Sequence, residues 1–190
     1  MNSVVAGIDV GGMKRGFHVA VVEADSGDFL ALQNLHDAED VARLLAGFPE
    51  LECVAIDCPP KAQRPGPRSS RLAEHQIKKA GFNPQWTRMF PEEPQEWMVN
   101  GESVWKSGKE KLPQVQIIET FPTVVSGRLA ECEWKLPLSL LKGGVNERSG
   151  YKDFVDASLC AWVAMRYLTG DAMSFGIEGD QVDELGLIWY

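Results

Sequence analysis

Two aspartates stand at the ends of apolar runs in matching contexts. Asp9 follows "AGI" and precedes "VGG", and Asp57 follows "VAI" and precedes "CPP". If the two runs form parallel neighbouring strands, both side chains project at one edge of a sheet, where α/β sheets bind ligands. The two carboxylates would repel each other unless a cation lay between them, and Mg²⁺ prefers such oxygen ligands. The alternative is that each aspartate caps a neighbouring turn through its own backbone.

Three further acids lie where a strand ends or a helix begins. Glu119 ends the apolar run of "IIETFP", and Asp153 and Asp156 share one face at the start of a helix. The small residues that continue this face are Ala157, Cys160 and Ala164. They predict that the acidic end of the helix lies close against the sheet. The alternatives are a solvated strand end for Glu119 and stabilisation of the helix N-terminus for the two aspartates.

Together these acids predict a site for one or two divalent cations, Mg²⁺ or Mn²⁺. Two such ions about 4 Å apart activate a water and stabilise the leaving oxygen in phosphodiester hydrolysis. The predicted metal ligands are Asp9, Asp57, Glu119, Asp153 and Asp156, and all except Asp153 are also assigned catalytic roles. The histidines have no recurring sequence context and are expected to be ordinary strand, loop or helix residues: His18, His36 and His75.

The elements that must position these acids follow from the hydrophobic pattern. Strands are predicted at 3–10, 17–24, 28–34, 51–59 and 115–122, and helices at 38–48, from Ser69 or Ser70 to Lys79, at 123–130 and at 150–168. The first three strands form an antiparallel meander, and parallel βα units follow. This order predicts an α/β, ribonuclease H-like fold with a mixed five-stranded sheet and helices on both faces.

One domain over 1–190 is predicted, with an irregular basic and Trp-rich insertion around 61–113 that forms short helices. Between Lys61 and Lys79 six basic residues and one acid give a local charge of +5. Basic residues hold phosphates and aromatic rings stack on bases, so this composition favours a single strand or a flipped base. The predicted nucleic-acid-binding residues are Lys14, Arg64, Arg68, Arg71 and Arg88. The alternative is a solvated charged loop over tryptophans that pack in a small core.

The overall composition limits the function classes. A net charge of −8 disfavours unspecific nucleic-acid binding, so a polyanion partner requires a local basic surface. No apolar run approaches the ~20 residues of a membrane span, and no signal peptide pattern begins the chain. The four cysteines form no C-x-x-C pair and are expected to be reduced. A cytoplasmic location without membrane contact is therefore expected.

The chain resembles the domain of unknown function 429 family, which is described as predicted nucleases with a ribonuclease H-like fold. The matching pieces are "GIDVGG", "AIDCPP", "IETFP", "YKDFVDASLCAW" and the C-terminal "FGIEGD…LGLIW". They span nearly the whole chain in the expected order. The resemblance implies metal-site roles for Asp9 and Asp57, further roles for Glu119 and Asp156, and a role for Asp153.

Three functions are compatible with these features. The first is a metal-dependent nuclease acting on DNA or RNA. The second is an ATP-binding or phosphotransfer protein, since "GIDVGG" resembles the first phosphate motif of the actin and sugar-kinase fold. That fold closes two domains over the nucleotide, so one such chain would have to form a homodimer, and the G-x-x-x-x-G-K-[ST] loop is absent. The third is a non-catalytic nucleic-acid-binding module.

Overall fold

The computed structural model describes residues 3–65, 70–130 and 151–190 of the chain. The strands are β1 (Val4–Val10), β2 (Phe17–Glu23), β3 (Phe29–Leu35), β4 (Leu51–Asp57), β5 (Gln63–Arg64), β6 (Arg88–Met89), β7 (Gln116–Thr120), β8 (Ser174–Phe175), β9 (Ile177–Glu178), β10 (Gln181–Val182) and β11 (Ile188–Trp189). The helices are α1 (Ala38–Ala46), α2 (Leu72–Lys79), α3 (Glu96–Lys111), α4 (Pro122–Ala130) and α5 (Tyr151–Thr169).

The central sheet has the strand order β3-β2-β1-β4-β7-β11-β8. The strands β1, β2 and β3 pair as an antiparallel meander, and β4, β7 and β11 run parallel to β1. This combination of order and direction is that of the ribonuclease H-like fold and confirms the predicted fold class. The sheet has seven strands rather than the expected five, because β11 and β8 extend it beyond β7. Each has two residues, too few for a recognisable hydrophobic period.

Helices cover both faces of the sheet, as predicted. On one face, beneath α1 and α3, Ile8 of β1 packs in the same cluster as Val41 of α1. On the opposite face, Val5 of β1 packs in the same cluster as Leu159 of α5. Successive residues of a strand point to opposite faces, so the odd-numbered residues of β1, including Asp9, point toward α5. The face beneath α5 is therefore the one that can combine acids from the sheet and from a helix.

The close approach of α5 to β1 depends on Gly7. A Cβ atom at Gly7 would lie 2.0 Å from the carbonyl oxygen of Ala157 and 2.2 Å from the amide nitrogen of Ala161. Ala157, Cys160 and Ala164 are fully buried, which confirms that the small face of α5 lies against the sheet. This packing brings the first turns of α5, with their acids, to the end of β1.

The insertion contains one long helix, α3, where only short helices were predicted. Its buried residues recur every three or four positions and are Met98, Gly101, Val104, Trp105, Ser107 and Gly108. A Cβ atom at Gly101 would lie 1.9 Å from the Sγ atom of Cys58, which directly follows β4. The helix therefore packs closely against the end of β4 at Gly101, because glycine has no side chain. Glycine is unfavourable in the interior of a helix. In α3, however, glycine occupies the positions where the helix packs most closely against its neighbours. The sequence pattern therefore lacks the apolar stripe that reveals most helices.

The predicted helix ends are reproduced where the local signal is strong. The side chain of Asp37 accepts a hydrogen bond from the backbone of Glu39 and caps α1. Gly81 follows α2 with a positive φ of 93°. The start of α2 differs from the prediction, since its N-cap is Arg71. Of the two expected caps, Ser70 lies just before Arg71 and Ser69 lies outside the described residues.

Three of the four cysteines are buried free thiols, namely Cys53, Cys58 and Cys160, and Cys132 lies outside the described residues. Among the helices described, none has the length and the apolar character required to cross a membrane.

Candidate metal centre

Asp9 and Asp57 are neighbours at the ends of β1 and β4. They are direct register partners in the parallel pair formed by these strands, as their matching sequence contexts predict. Adjacent strands lie ~4.8 Å apart, so the two side chains start from neighbouring backbone positions. Register partners point to the same face, and both aspartates therefore point toward α5.

The helix α5 brings Asp153 and Asp156 to the same place. One ligand atom each of Asp9, Asp153 and His18 lie within 4.8 Å of one another. The negative charge of Asp156 acts on both Asp9 and Asp57, because it raises the pKa of each. Four of the five predicted acids thus form one cluster, which we call the carboxylate cluster: Asp9, Asp57, Asp153 and Asp156.

Burial and mutual repulsion shift the titration of this cluster. The pKa of Asp9 is raised from 3.8 to about 7, first by burial and then by the negative charges of Asp156 and Asp153. Burial and then the charges of Asp9, Asp156 and Glu119 raise the pKa of Asp57 well above 3.8. The described surroundings therefore disfavour the ionised forms of Asp9 and Asp57 when no cation is bound. The donors of the cluster are carboxylate oxygens, the ligands preferred by Mg²⁺ and Mn²⁺, so a divalent cation fits the site.

Two exposed cations stand beside the cluster. Arg15 Nη1 lies 3.6 Å from Asp153 Oδ1, and its side chain is 71% exposed. The Nζ atom of Lys152 pairs with Asp156, and this side chain is 79% exposed. Both cations lower the pKa of Asp9, against the larger effects that raise it. Neither residue was predicted as a site residue, although the i, i+4 spacing of Lys152 and Asp156 is a recognisable signal.

His18 is a further site residue that the sequence prediction missed. It lies directly opposite Asp9 in the β1–β2 pair, and its Nδ1 atom is 3.7 Å from Asp9 Oδ2. Its ring also meets the ring of Phe154 edge-on, with 4.8 Å between centroids. The signal for this position lay in the hairpin, because equal strand lengths on both sides of the turn at 11–16 place residue 18 opposite residue 9.

Glu119 lies outside the carboxylate cluster, although it lines the same cleft as Asp57 and its negative charge raises the pKa of Asp57. Its predicted role as a metal ligand therefore stays a prediction. The residue follows Ile118, which packs beneath α5, so Glu119 itself points to the opposite face. There it accepts a hydrogen bond of 2.7 Å from the Nη2 atom of Arg71. Burial raises the pKa of Glu119 to about 7, while the charge of Arg71 lowers it. The acid is thus half of a buried ion pair.

Arg71 was predicted to bind nucleic acid, and the structure corrects this prediction. Its side chain is 0% exposed, so it cannot reach a phosphate of a bound polymer. Besides Glu119 it faces Asp183, whose Oδ1 atom lies 3.4 Å from Arg71 Nε. Asp183 in turn accepts a hydrogen bond from the backbone of Ala73, at 2.8 Å. Arg71 therefore joins α2 to the end of β7 and to the C-terminal segment.

The four other residues predicted to bind nucleic acid have different positions. Arg64 is buried and donates a hydrogen bond of 3.1 Å to the carbonyl oxygen of Thr87, which corrects its prediction too. Arg88 is half exposed and pairs with Glu92 at 3.1 Å. Lys14 lies exposed in the β1–β2 turn, and Arg68 lies outside the described residues. The local charge of the segment did not indicate which basic side chains point inward, because their acidic partners come from distant parts of the chain.

A cleft of about 360 Å³ adjoins the carboxylate cluster through Asp57. It lies at the carboxyl ends of the parallel strands, where α/β sheets bind ligands. Gly11 and Gly12 line it, as do Arg15 and Trp97. The glycine turn is held in place from α3, because Asn100 donates a hydrogen bond of 2.9 Å to the carbonyl oxygen of Gly11. The cleft can therefore accept a ligand that reaches the carboxylates from the open side of this turn.

Comparisons with known proteins identify structural neighbours. No family model matches the chain. No curated protein matches it either. RuvC from Thermus thermophilus, solved in complex with a Holliday junction substrate, is 19% identical, with a TM-score of 0.47 over 89% of this chain and 97% of that one. A second structure of Thermus thermophilus RuvC is 18% identical, with a TM-score of 0.44 over 88% of this chain and 97% of that one.

Proposed function

We propose that this protein is a nuclease that hydrolyses phosphodiester bonds of DNA or RNA with the help of Mg²⁺ or Mn²⁺. The observation that supports this proposal best is the carboxylate cluster at the end of β1 and β4. Asp9 and Asp57 are register partners there, and α5 adds two acids beside them. The raised pKa values of Asp9 and Asp57 reflect burial first and then the charges of neighbouring acids, which the nearby cations among the described residues do not offset.

Each residue of the cluster has a role in this proposal. Asp9 and Asp57 hold the cation between the two strand ends, and Asp153 and Asp156 supply further oxygen ligands from α5. A bound cation of this kind activates a water and stabilises the leaving oxygen of a phosphodiester. The carboxylates must be ionised to bind it, so their protons are released when the cation binds.

The residues around the cluster suit a nucleic-acid substrate. Arg15 and Lys152 are exposed beside the carboxylates, and their charges attract and orient a phosphate in a protein that is acidic overall. Gly11 and Gly12 carry no side chains, so the backbone of the substrate can approach closely. The cleft of about 360 Å³ is large enough for the nucleoside next to that phosphate, and Trp97 lines it.

Membership of the domain of unknown function 429 family is part of the same proposal. It is supported by the five sequence pieces that resemble the family. Two of those pieces, "GIDVGG" and "AIDCPP", supply the adjacent aspartates, and "YKDFVDASLCAW" supplies the acids of α5 and Lys152.

The direct test is cleavage of a panel of single-stranded and duplex DNA and RNA with Mg²⁺, Mn²⁺ or a chelator. We expect metal-dependent cleavage that is abolished in Asp9→Asn and Asp57→Asn. Asp25→Asn is the matched control. The substitution removes the same negative charge, and Asp25 is exposed in the β2–β3 turn. Failure of the wild-type protein to cleave any substrate and to bind Mn²⁺ in calorimetry would contradict the proposal.

The two other functions give different results with the same proteins. An ATP-binding protein would show a rise in unfolding temperature with ATP and Mg²⁺ that Mg²⁺ alone does not cause. A non-catalytic binding module would bind nucleic acid equally well in the wild type and in Asp9→Asn. The nuclease proposal expects no ATP-specific rise, and it differs from the binding module in expecting metal-dependent cleavage by the wild type.

A further inference from the structure

Four polar side chains stand in one row across four neighbouring strands of the sheet. Asn34 of β3 is the register partner of His18 of β2, and His18 is the register partner of Asp9 of β1. Asp9 is in turn the register partner of Asp57 of β4. Register partners share a face of the sheet, so the carboxylates of the proposed metal site continue into an imidazole and an amide.

The orientation of the Asn34 amide is determined by its neighbours. Its Nδ2 atom lies 2.8 Å from the carbonyl oxygen of Arg15 and 3.0 Å from His18 Nε2. A carbonyl oxygen only accepts hydrogen bonds, so the amide atom facing it must be the NH₂ nitrogen. That nitrogen also lies 3.5 Å from the carbonyl oxygen of Phe17, a longer contact than the other two. It carries two hydrogens and no free lone pair, so it cannot accept a hydrogen bond from the imidazole. The Nε2 atom of His18 must therefore be the acceptor.

This arrangement selects one form of the His18 ring. An imidazolium carries a hydrogen on both ring nitrogens, so a ring whose Nε2 accepts a hydrogen bond is neutral. A neutral imidazole with an accepting Nε2 carries its proton on Nδ1. The Nδ1 atom is buried, forms no hydrogen bond with any described residue, and lies 3.7 Å from Asp9 Oδ2. The edge-on contact with Phe154 of α5 holds the ring in this plane.

We propose that His18 is a positioning residue: its Nδ1 hydrogen points at Asp9 Oδ2, now 3.7 Å away, and forms a hydrogen bond with it when the other carboxylate oxygen binds the cation. The metal part of this inference rests on the proposed function. It deepens that function, since His18 is assigned to the ordering of a ligand rather than to ligation. Hydrogen bonds of this kind from neighbouring groups orient metal ligands in many proteins.

The alternative is that His18 itself binds the cation, since one of its ring nitrogens lies within 4.8 Å of carboxylate oxygens of Asp9 and Asp153. The nitrogen that faces Asp9 is Nδ1. Ligation requires a lone pair on Nδ1, so the proton of the neutral ring would have to move to Nε2. There it would face the hydrogens of the Asn34 amide, which already donates to the carbonyl oxygen of Arg15. The hydrogen-bond partners of Asn34 thus favour donation over ligation.

The first experiment determines the tautomer in the metal-free protein. Imidazole ¹⁵N shifts and their couplings to ring protons distinguish protonated from unprotonated nitrogens, and comparison with His18→Gln assigns the signals. We expect a protonated Nδ1 and an unprotonated Nε2. The opposite tautomer would overturn the proposal. This result does not depend on metal binding or on cleavage, so it is separate from the success or failure of the proposed nuclease function.

The second experiment uses two amide substitutions that each replace one ring nitrogen. The amide of His18→Asn reaches the position of Nδ1 and keeps a donor toward Asp9. The amide of His18→Gln reaches the position of Nε2, next to Asn34, and leaves Asp9 without that donor. By Mn²⁺ calorimetry we expect affinity within about threefold of the wild type for His18→Asn and a loss of at least about tenfold for His18→Gln, since loss of a supporting hydrogen bond costs 10- to 100-fold in metal affinity.

Equal losses in the two variants, or a His18→Gln variant that binds like the wild type, would overturn the proposal. His75→Gln is the control for the substitution itself, because this histidine is exposed on α2. Circular dichroism and thermal unfolding establish that each variant is folded before its affinity is compared. If the wild type binds no Mn²⁺, the proposed function fails while the tautomer remains measurable.

Discussion

A Cβ atom on Gly7 would lie 2.0 Å from the carbonyl oxygen of Ala157, closer than any side chain can approach. This contact joins β1 to α5 next to the carboxylate cluster. Gly7 precedes Asp9 by two residues on β1, and Ala157 follows Asp156 directly on α5. The absence of a side chain at Gly7 therefore sets the distance between the acids of the strand and those of the helix.

Gly7→Ala is expected to push α5 away from the sheet. The free energy of unfolding should fall by about 1–3 kcal/mol, which is the usual cost of overpacking a tightly packed core. Mn²⁺ affinity should fall as well, because Asp153 and Asp156 move with the helix. Denaturant unfolding and calorimetry measure the two effects. Gly47→Ala is the control, since its φ of −72° suits any residue. A folded Gly7→Ala variant with wild-type Mn²⁺ affinity would contradict this role of Gly7.

The metal-free fold should lose stability as the pH rises from about 4 to about 7. The pKa of Asp9 is raised in the folded state from 3.8 to about 7, so the folded protein binds a proton that the unfolded chain releases. The stabilisation is complete below the unfolded pKa and is lost through the folded one. The difference between the folded and unfolded pKa values of Asp9 sets an upper bound of about 4 kcal/mol on the resulting loss in free energy of unfolding.

Denaturant unfolding at several pH values, with a chelator present, measures this dependence. Other carboxyl groups also titrate in this range, so the informative quantity is the difference between the wild type and Asp9→Asn. The slope in the variant should be flatter. Mn²⁺ affinity of the wild type should rise over the same pH range, since the cation competes with protons for the carboxylates. Identical slopes in the two proteins would refute the assignment.

Arg71→Met should destabilise the protein through the buried ion pairs. The substitution leaves Glu119 and Asp183 buried without their partner, which costs about 3–5 kcal/mol for such pairs. Arg88→Met is the control, because Arg88 is half exposed and should change stability by less than about 0.5 kcal/mol. Equilibrium unfolding compares the two. A stable Arg71→Met variant with weakened nucleic-acid binding would restore the prediction made from the sequence.

Arg15→Gln and Lys152→Gln should each weaken nucleic-acid binding and lessen its salt dependence. Removing one phosphate contact reduces the slope of log affinity against log salt by about 1. Binding measured in the presence of Ca²⁺ at several salt concentrations tests this. Arg43→Gln is a matched control, since Arg43 is 73% exposed, close to the 71% of Arg15, but lies on α1 beneath the opposite face of the sheet. If the slope of log affinity against log salt were the same for all variants, the substrate would not contact Arg15 or Lys152.

Much of the fold could be predicted because its signals are local. The long strands and α5 have clear apolar periods, and their order along the chain is specific for one topology. The same reasoning placed Asp9 and Asp57 together, since parallel strands that end alike bring their last residues to one edge. It failed for α3, where glycines occupy the positions of tightest packing. It also did not place β8 and β11 in the central sheet, because strands of two residues have no period.

The sequence by itself determined the strand order, the pair of aspartates at the strand ends and the small face that brings Asp153 and Asp156 to them. Only the tertiary structure decided that Glu119 points away from the cluster and that His18 points into it. The physical reason is that neighbouring strand residues face opposite sides, so a difference of one position reverses the surroundings of a side chain. Burial of Arg71 was likewise decided by acids more than forty positions away, which no local pattern contains.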